Sequence, residues 1–379
     1  LVKDIVFTVE CGVNNKLTSP LFFVNAGRRQ YRIENQQTKK RGEIMTKKIL
    51  FTCLLVVFLA SLGFGDDIDG YIVPEYYVVA SHHEGEDGIE GQHGFWIRRI
   101  YFGYNADLGD GWSARVRFEM NSPAFSEGSL TPYIKNAHIK KKLGGGASLL
   151  AGIIDPPSFD KIEKFWGYRF IEKTPPDFFK LASSRDFGLA LDGKTKSGLV
   201  YTVMFGNYSS NKSEDNKGKA VYGRLGWESK NVYLEANGHF ANDNGTAFIY
   251  LTLFGGFQGD WGRLGAGYHR LNRKPEGGES QDTGIISAFG VVNVGKKAEI
   301  FARYDHFTDP NFKDIGDYVP IPAKQYESRF LMAGLNFKVH KMVQISPNVK
   351  YVFYGGDGAP KGDLYFNLTA LISFKTGWK

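Results

Sequence analysis

Between Pro156 and Arg185 the chain sets six basic side chains, Lys161, Lys164, Arg169, Lys173, Lys180 and Arg185, among four acidic ones, Asp160, Glu163, Glu172 and Asp177. A modest excess of ammonium and guanidinium groups over carboxylates suits reversible attraction of anions. It does not suit covalent catalysis, which needs a nucleophile, a base and an orienting group within reach of one another. The chain has no Gly-x-Ser-x-Gly sequence, and His239, His269 and His306 fall on separate segments with no serine motif beside them. No glycine-rich phosphate loop precedes a helix either, so no nucleotide site is expected. The chain therefore reads as neither an enzyme nor a cofactor binder. The competing reading of the basic stretch is that Phe159, Phe165, Trp166, Tyr168 and Phe170 pin it to a wall while its charges neutralise one another.

What positions this stretch must come from the rest of the chain. Asp155 to Asp186 holds four of the 14 prolines (Pro156, Pro157, Pro175 and Pro176) and shows no period-two alternation. A strandless segment of this length within a compact fold tends to be a working loop. The 379 residues are too apolar for a disordered chain and too polar for a helical membrane protein. The formal charge of +7 is concentrated near the start. Residues 1–65 hold ten Lys and Arg against four Asp and Glu, leaving 37 against 36 over the remainder. Nucleic acid is therefore not an expected partner.

Met45-Thr46-Lys47-Lys48 is followed by an apolar run from Ile49 to Phe64 that ends in small residues before Asp66. A basic start, a short apolar core and a small-residue end describe a secretory signal peptide at 45–65. The run is shorter than the ~20 residues a membrane-spanning helix needs. Residues 1–44 read as a non-native or untranslated upstream extension. Cys11 and Cys53 both precede residue 66, and a cysteine-free chain from there on suits an oxidising compartment.

From Gly70 onward the chain repeats one unit of about ten alternating residues and a break. Trp112, Ala114, Val116, Phe118 and Met120 fall on one face of a strand; Ser113, Arg115, Arg117 and Glu119 fall on the other. Sixteen such segments run from Gly70–Ala80 to Leu364–Lys375, and short and long connections alternate between them. An apolar face on every strand needs a second sheet or lipid, and lipid admits only helices or closed barrels. The expectation is an all-β fold over 66–379: a 16-stranded antiparallel transmembrane β-barrel with short periplasmic turns and long external loops. Residues 155–186, the third long connection, would fold inward as a constriction.

Sixteen strands enclose more space than side chains fill, so the polar faces line water. The expected lining cations are Arg99, Arg115, Arg117, Lys140, Arg224, Arg263, Arg303 and Lys350, with Glu119, His138, Glu228, Glu235 and Asp305 on the same faces. Of the adjacent Arg98 and Arg99, period two allows only one inward, and Arg99 is preferred. Constriction contacts with solute are assigned to Lys161, Lys164, Arg169, Lys173 and Arg185. His82-His83 with Glu84, Glu86 and Asp87 offers two readings, a metal site in the first long loop and, preferred, a solvated acidic loop able to bind divalent cations that bridge lipopolysaccharide, so no metal ligand is assigned.

Several segments carry a resemblance. Arg98-Arg99-Ile100-Tyr101, Gly111-Trp112-Ser113-Ala114-Arg115-Val116-Arg117-Phe118, Tyr133-Ile134-Lys135-Asn136-Ala137, Ala151-Gly152-Ile153-Ile154-Asp155-Pro156-Pro157-Ser158-Phe159 and Ser183-Ser184-Arg185-Asp186-Phe187-Gly188 resemble the phosphate-selective porin O and P family. The resemblance implies an outer-membrane porin of a Gram-negative bacterium, commonly a homotrimer. Such a porin sits among membrane lipid and lipopolysaccharide and passes small hydrophilic solutes with a mild anion, including phosphate, preference. The alternative of another class is a non-conducting barrel serving as adhesin or structural anchor.

Overall fold

The computed structural model describes residues 67–85, 88–307 and 326–377. The expected upstream extension and signal peptide lie outside the described residues, as does 308–325. The sixteen strands are β1 (Asp67–Ser81), β2 (His93–Gly109), β3 (Trp112–Asn121), β4 (Thr131–Gly144), β5 (Ala147–Ile154), β6 (Asp186–Lys194), β7 (Leu199–Gly206) and β8 (Lys219–Glu228), then β9 (Val232–Asp243), β10 (Thr246–Gly259), β11 (Gly262–Pro275), β12 (Gln281–Asn293), β13 (Ala298–Phe307), β14 (Glu327–His340), β15 (Val343–Gly355) and β16 (Asp363–Gly377). Each pairs antiparallel with its sequence neighbours, and β1 pairs with β16, so the sheet is a closed barrel. Closure leaves no open edge of unpaired backbone groups, the condition for a sheet in hydrocarbon.

The outward residues are large and apolar. Leu189, Val203, Leu225, Leu253, Ile286 and Leu368 are all exposed, with Trp112, Trp227 and Trp261 on the rim of the short turns. An apolar belt edged by indoles is the surface a bilayer requires. Among the described residues no helix is long and apolar enough to cross a membrane. One connection of the long set proves short: Asn244 (φ 48°) and Gly245 (φ 76°) make a two-residue hairpin turn between β9 and β10.

Two departures from strict alternation place charges in the lumen. Pro74 has no N–H to give the β1–β2 ladder, and the register slips there: Val73 faces Arg99, but Pro74 faces Ile97. Arg98 becomes the extra residue of a bulge. Both Arg98 and Arg99 are consequently buried on the inner side, correcting the expectation that only one could be. A second slip, between Arg117 and Phe118, leaves Lys135 without a partner on β3, and Lys135 and Asn136 are both buried inward.

The inner face is also not polar throughout. Ile285, Phe289 and Val291 on β12, Phe301 and Phe307 on β13, and Phe330 and Met332 on β14 are buried. The expected polar lining fails over these strands because the segment after β5 packs against them.

Gly152, opposite His138 in β5, shows how close the strands run. It has φ +126°, and a Cβ there would lie 2.3 Å from the Ala137 carbonyl oxygen. Gly152→Ala is expected to destabilise the barrel by about 1–3 kcal/mol from backbone strain alone. The check is a lower urea midpoint for loss of heat-modifiable gel mobility.

Candidate functional site

The connection between β5 and β6, here loop 3, contains helix α1 (Asp160–Trp166) and one turn, α2 (Pro175–Phe178). Asp160 and Glu163 in the first turn of α1 suit its dipole, and Gly167 (φ 78°) ends it in the left-handed region. Pro175 opens α2 with the fixed φ that a first helical position favours. These short elements turn one aromatic face outward against the barrel wall. Ring centroids are 4.8 Å apart for Trp166 and Phe289, 4.5 Å for Tyr168 and Phe301, 4.0 Å for Phe179 and Phe307 and 5.2 Å for Phe178 and Phe330. Each buried ring contributes roughly 1.5–3 kcal/mol.

Four expected lining cations work in this docking rather than facing open water. Arg263 Nη2 donates to the Trp166 carbonyl at 2.9 Å, and Arg303 Nη1 to that of Lys173 at 2.6 Å. Lys350 Nζ donates to the Ile171 carbonyl at 3.1 Å and to Glu172 Oε2 at 2.8 Å. Arg224 pairs with Asp160 of the loop and with Glu235 of the wall. Arg98, a residue that periodicity had set aside, completes the clamp at 3.2 Å from Glu172. Burial alone would raise Glu172, but Lys350 and then Arg98 outweigh it and hold the carboxylate well below its ordinary range.

The other face of loop 3 looks across to β1–β4. Arg99 Nε lies 3.0 Å and Lys135 Nζ 3.2 Å from the Glu119 carboxylate. Lys135 also donates to Ser184 Oγ at 2.8 Å. Arg169 donates to Tyr101 Oη at 3.0 Å, to Asp177 at 2.7 Å, and to Glu163. The Tyr101 ring thus has four cationic groups around it, Arg117, Arg99, Lys135 and Arg169, at 5.2–6.0 Å from its centroid. Arg185 stands 4.7 Å over the Tyr133 ring. Aromatic faces hold cations in place without neutralising them.

Two cavities open on this side. The first, about 420 Å³, is lined by Arg99, Lys135, Arg169, Lys173, Lys180 and Arg185 against only Glu119 and Asp177 as carboxylates. The second, about 340 Å³, mixes Arg117, Lys135, Lys164 and Arg169 with Asp155, Asp160 and Glu163. Arg169, Lys173, Arg185 and Arg99 are thus brought together around one space. Lys164 and Arg117 belong to the second. Lys161 lines neither cavity, nor do Arg115, which pairs with Asp69 at 3.0 Å, and Lys140. Lys135 was missed because only the bulge turns it inward, and Lys180 because counting charges along the loop does not say which of them face the lumen.

Two loop carboxylates share Arg169 and separate. Burial works to raise Asp177, but Lys173 and then Arg169 outweigh it and hold the group well below its ordinary range. Burial pushes Glu163 up to about 7; Arg169 opposes this and the Asp177 charge adds to it. Among the described residues Glu163 Oε1 is buried without a hydrogen-bond partner. A raised folded value means that Glu163 supports loop docking fully below the ordinary glutamate range and loses that contribution as pH rises through about 7. Its ionisation also adds a negative charge beside the cations. Anion preference in bilayer reversal potentials is expected to fall over the unit either side of that value, and to be flat in Glu163→Gln.

No family model matches the chain, and no curated protein matches it. Solved structures do. An anion-selective porin from Comamonas acidovorans superposes with a TM-score of 0.61 at 12% identity, over 82% of this chain and 99% of that one. The trimer form of in-vitro folded OmpT, an outer membrane protein of Vibrio cholerae, gives 0.58 at 14%, over 82% and 99%. OmpF of Salmonella typhi in complex with daunomycin gives 0.59 at 12%, over 82% and 98%. At these identities the likeness is one of fold: this chain is built as the closed sixteen-stranded barrel of bacterial outer-membrane porins.

Proposed function

We propose that this protein is a passive diffusion channel for small hydrophilic solutes in the outer membrane of a Gram-negative bacterium, with a mild preference for anions, phosphate among them. The observation that carries this reading is the first cavity, where six cations face two carboxylates beside an inward-packed loop. Fixed positive charge at a narrow, water-filled point favours anion entry, and the carboxylates keep binding weak enough for release. Loop 3 acts as the constriction, with Arg169, Lys173 and Arg185 as the solute contacts retained from the sequence and Arg99, Lys135 and Lys180 added to them. The anion selectivity of the Comamonas porin and the trimeric form of OmpT support the same reading, with a homotrimer as the assembly. The apolar belt takes lipid, and the long loops face lipopolysaccharide.

The test is planar-bilayer recording of the folded protein. Discrete conductance steps and a reversal potential on the anion side in a salt gradient are expected. A folded protein that gives no steps would instead favour the adhesin or anchor reading.

A further inference from the structure

The seam where the barrel closes carries a cluster that the channel does not use. β1 and β16 pair with Ser81 opposite Leu364. The chain therefore leaves β1 into His82 and His83 just where Asp363 opens β16. One donor atom from each of His82, His83 and Asp363 lies within 4.8 Å of the others. The two imidazole centroids are 4.1 Å apart, and His83 Nδ1 is 3.0 Å from Asp363 Oδ1.

An independent observation concerns His82. The residue is 2% exposed, and among the described residues its Nε2 has no hydrogen-bond partner. A buried ring nitrogen left unpaired is uncommon in a folded protein, and a bound ion is one of its ordinary explanations. Tyr354 donates its hydroxyl to Asp363 Oδ2 at 2.6 Å, the kind of outer contact that orients a ligating carboxylate. Sequence order had grouped His82 and His83 with Glu84, Glu86 and Asp87; Glu86 and Asp87 lie outside the described residues, and the barrel supplies Asp363 instead.

We propose that His82, His83 and Asp363 bind a divalent transition-metal ion of the zinc type and so staple the first loop to the closing strand at the barrel mouth. Two imidazoles with a carboxylate suit zinc, copper or nickel, whereas calcium and magnesium take oxygen ligands. Metal–nitrogen bonds of about 2.0–2.1 Å require the donors to draw together, and the ion replaces the His83–Asp363 hydrogen bond. The site stands apart from loop 3, so it does not depend on the channel being open or anion-selective.

The experiment is calorimetric titration of zinc chloride into the folded full chain in detergent after chelator treatment. One equivalent of zinc per chain is expected, and a hundredfold excess of magnesium should not displace it. His82→Gln and Asp363→Asn should each weaken binding at least tenfold while keeping the heat-modifiable mobility of a folded barrel. Tyr354→Phe should weaken it by a smaller factor. Zinc should also slow hydrogen exchange at 81–92 in the wild type and leave it unchanged in His82→Gln. The absence of saturable binding, displacement by magnesium, or unchanged affinity in both His82→Gln and Asp363→Asn would overturn the proposal.

Discussion

Glu172→Gln frees loop 3 from the wall while leaving the barrel closed. Glu172 is buried, and its carboxylate holds two buried cations, Lys350 at 2.8 Å and Arg98 at 3.2 Å. Arg98 keeps a second partner, since Glu75 lies 3.2 Å away. Among the described residues the hydrogen-bond acceptor left to Lys350 is the Ile171 carbonyl, which belongs to the loop that is being released. Removing one member of a buried pair leaves an uncompensated charge and costs about 3–5 kcal/mol. That loss falls on the loop, because the strands are held by continuous backbone ladders from β1 round to β16.

The expected result is faster hydrogen exchange over 155–185, broader and noisier conductance steps, and unchanged heat-modifiable mobility. Glu172→Leu combined with Lys350→Met removes both charges and is expected to recover most of the loss, since neither position then holds an unpaired charge and Arg98 keeps Glu75. Unchanged exchange over 155–185 in Glu172→Gln would show that the aromatic contacts alone hold the loop.

The second large effect is on selectivity. Replacing Lys173, Lys180 and Arg185 together with Glu turns the lining of the first cavity from mainly cationic to mainly anionic. The reversal potential is expected to change sign, moving by a large part of the ~59 mV that a tenfold gradient gives an ideally selective monovalent pore. The shift should shrink in strong salt, where the screening length falls from about 10 Å at 0.1 M to about 3 Å at 1 M. Lys161, Lys164 and Arg169 are a poorer choice. Lys161 lines neither cavity, and Lys164 lines the second and not the first. As a control with the same change in formal charge, Lys141, Lys142 and Lys196 on or beside the short turns should move the potential much less. An equal shift from both triples would mean that selectivity follows net charge and not the cavity.

The strands, the faces of their regular stretches and the barrel were legible in the chain's own pattern. Period two is a property of the extended backbone, so Arg115, Arg117 and Glu119 share a face whatever they pair with. The alternation of connection lengths then marked the two ends of the barrel, and the prolines with the missing alternation marked loop 3. Tertiary structure decided which charges act and how. Arg98 and Lys135 turn inward only because of slips in the register between strands, and register belongs to a pair of strands, not to either one. Arg224, Arg263, Arg303 and Lys350 fall on the side expected of them, yet they grip loop 3, because the aromatic inner faces of β12–β14 give that loop somewhere to dock. His82 and Asp363 stand at opposite ends of the barrel sequence. They meet only when the last strand pairs with the first, a contact that no local pattern in the chain encodes.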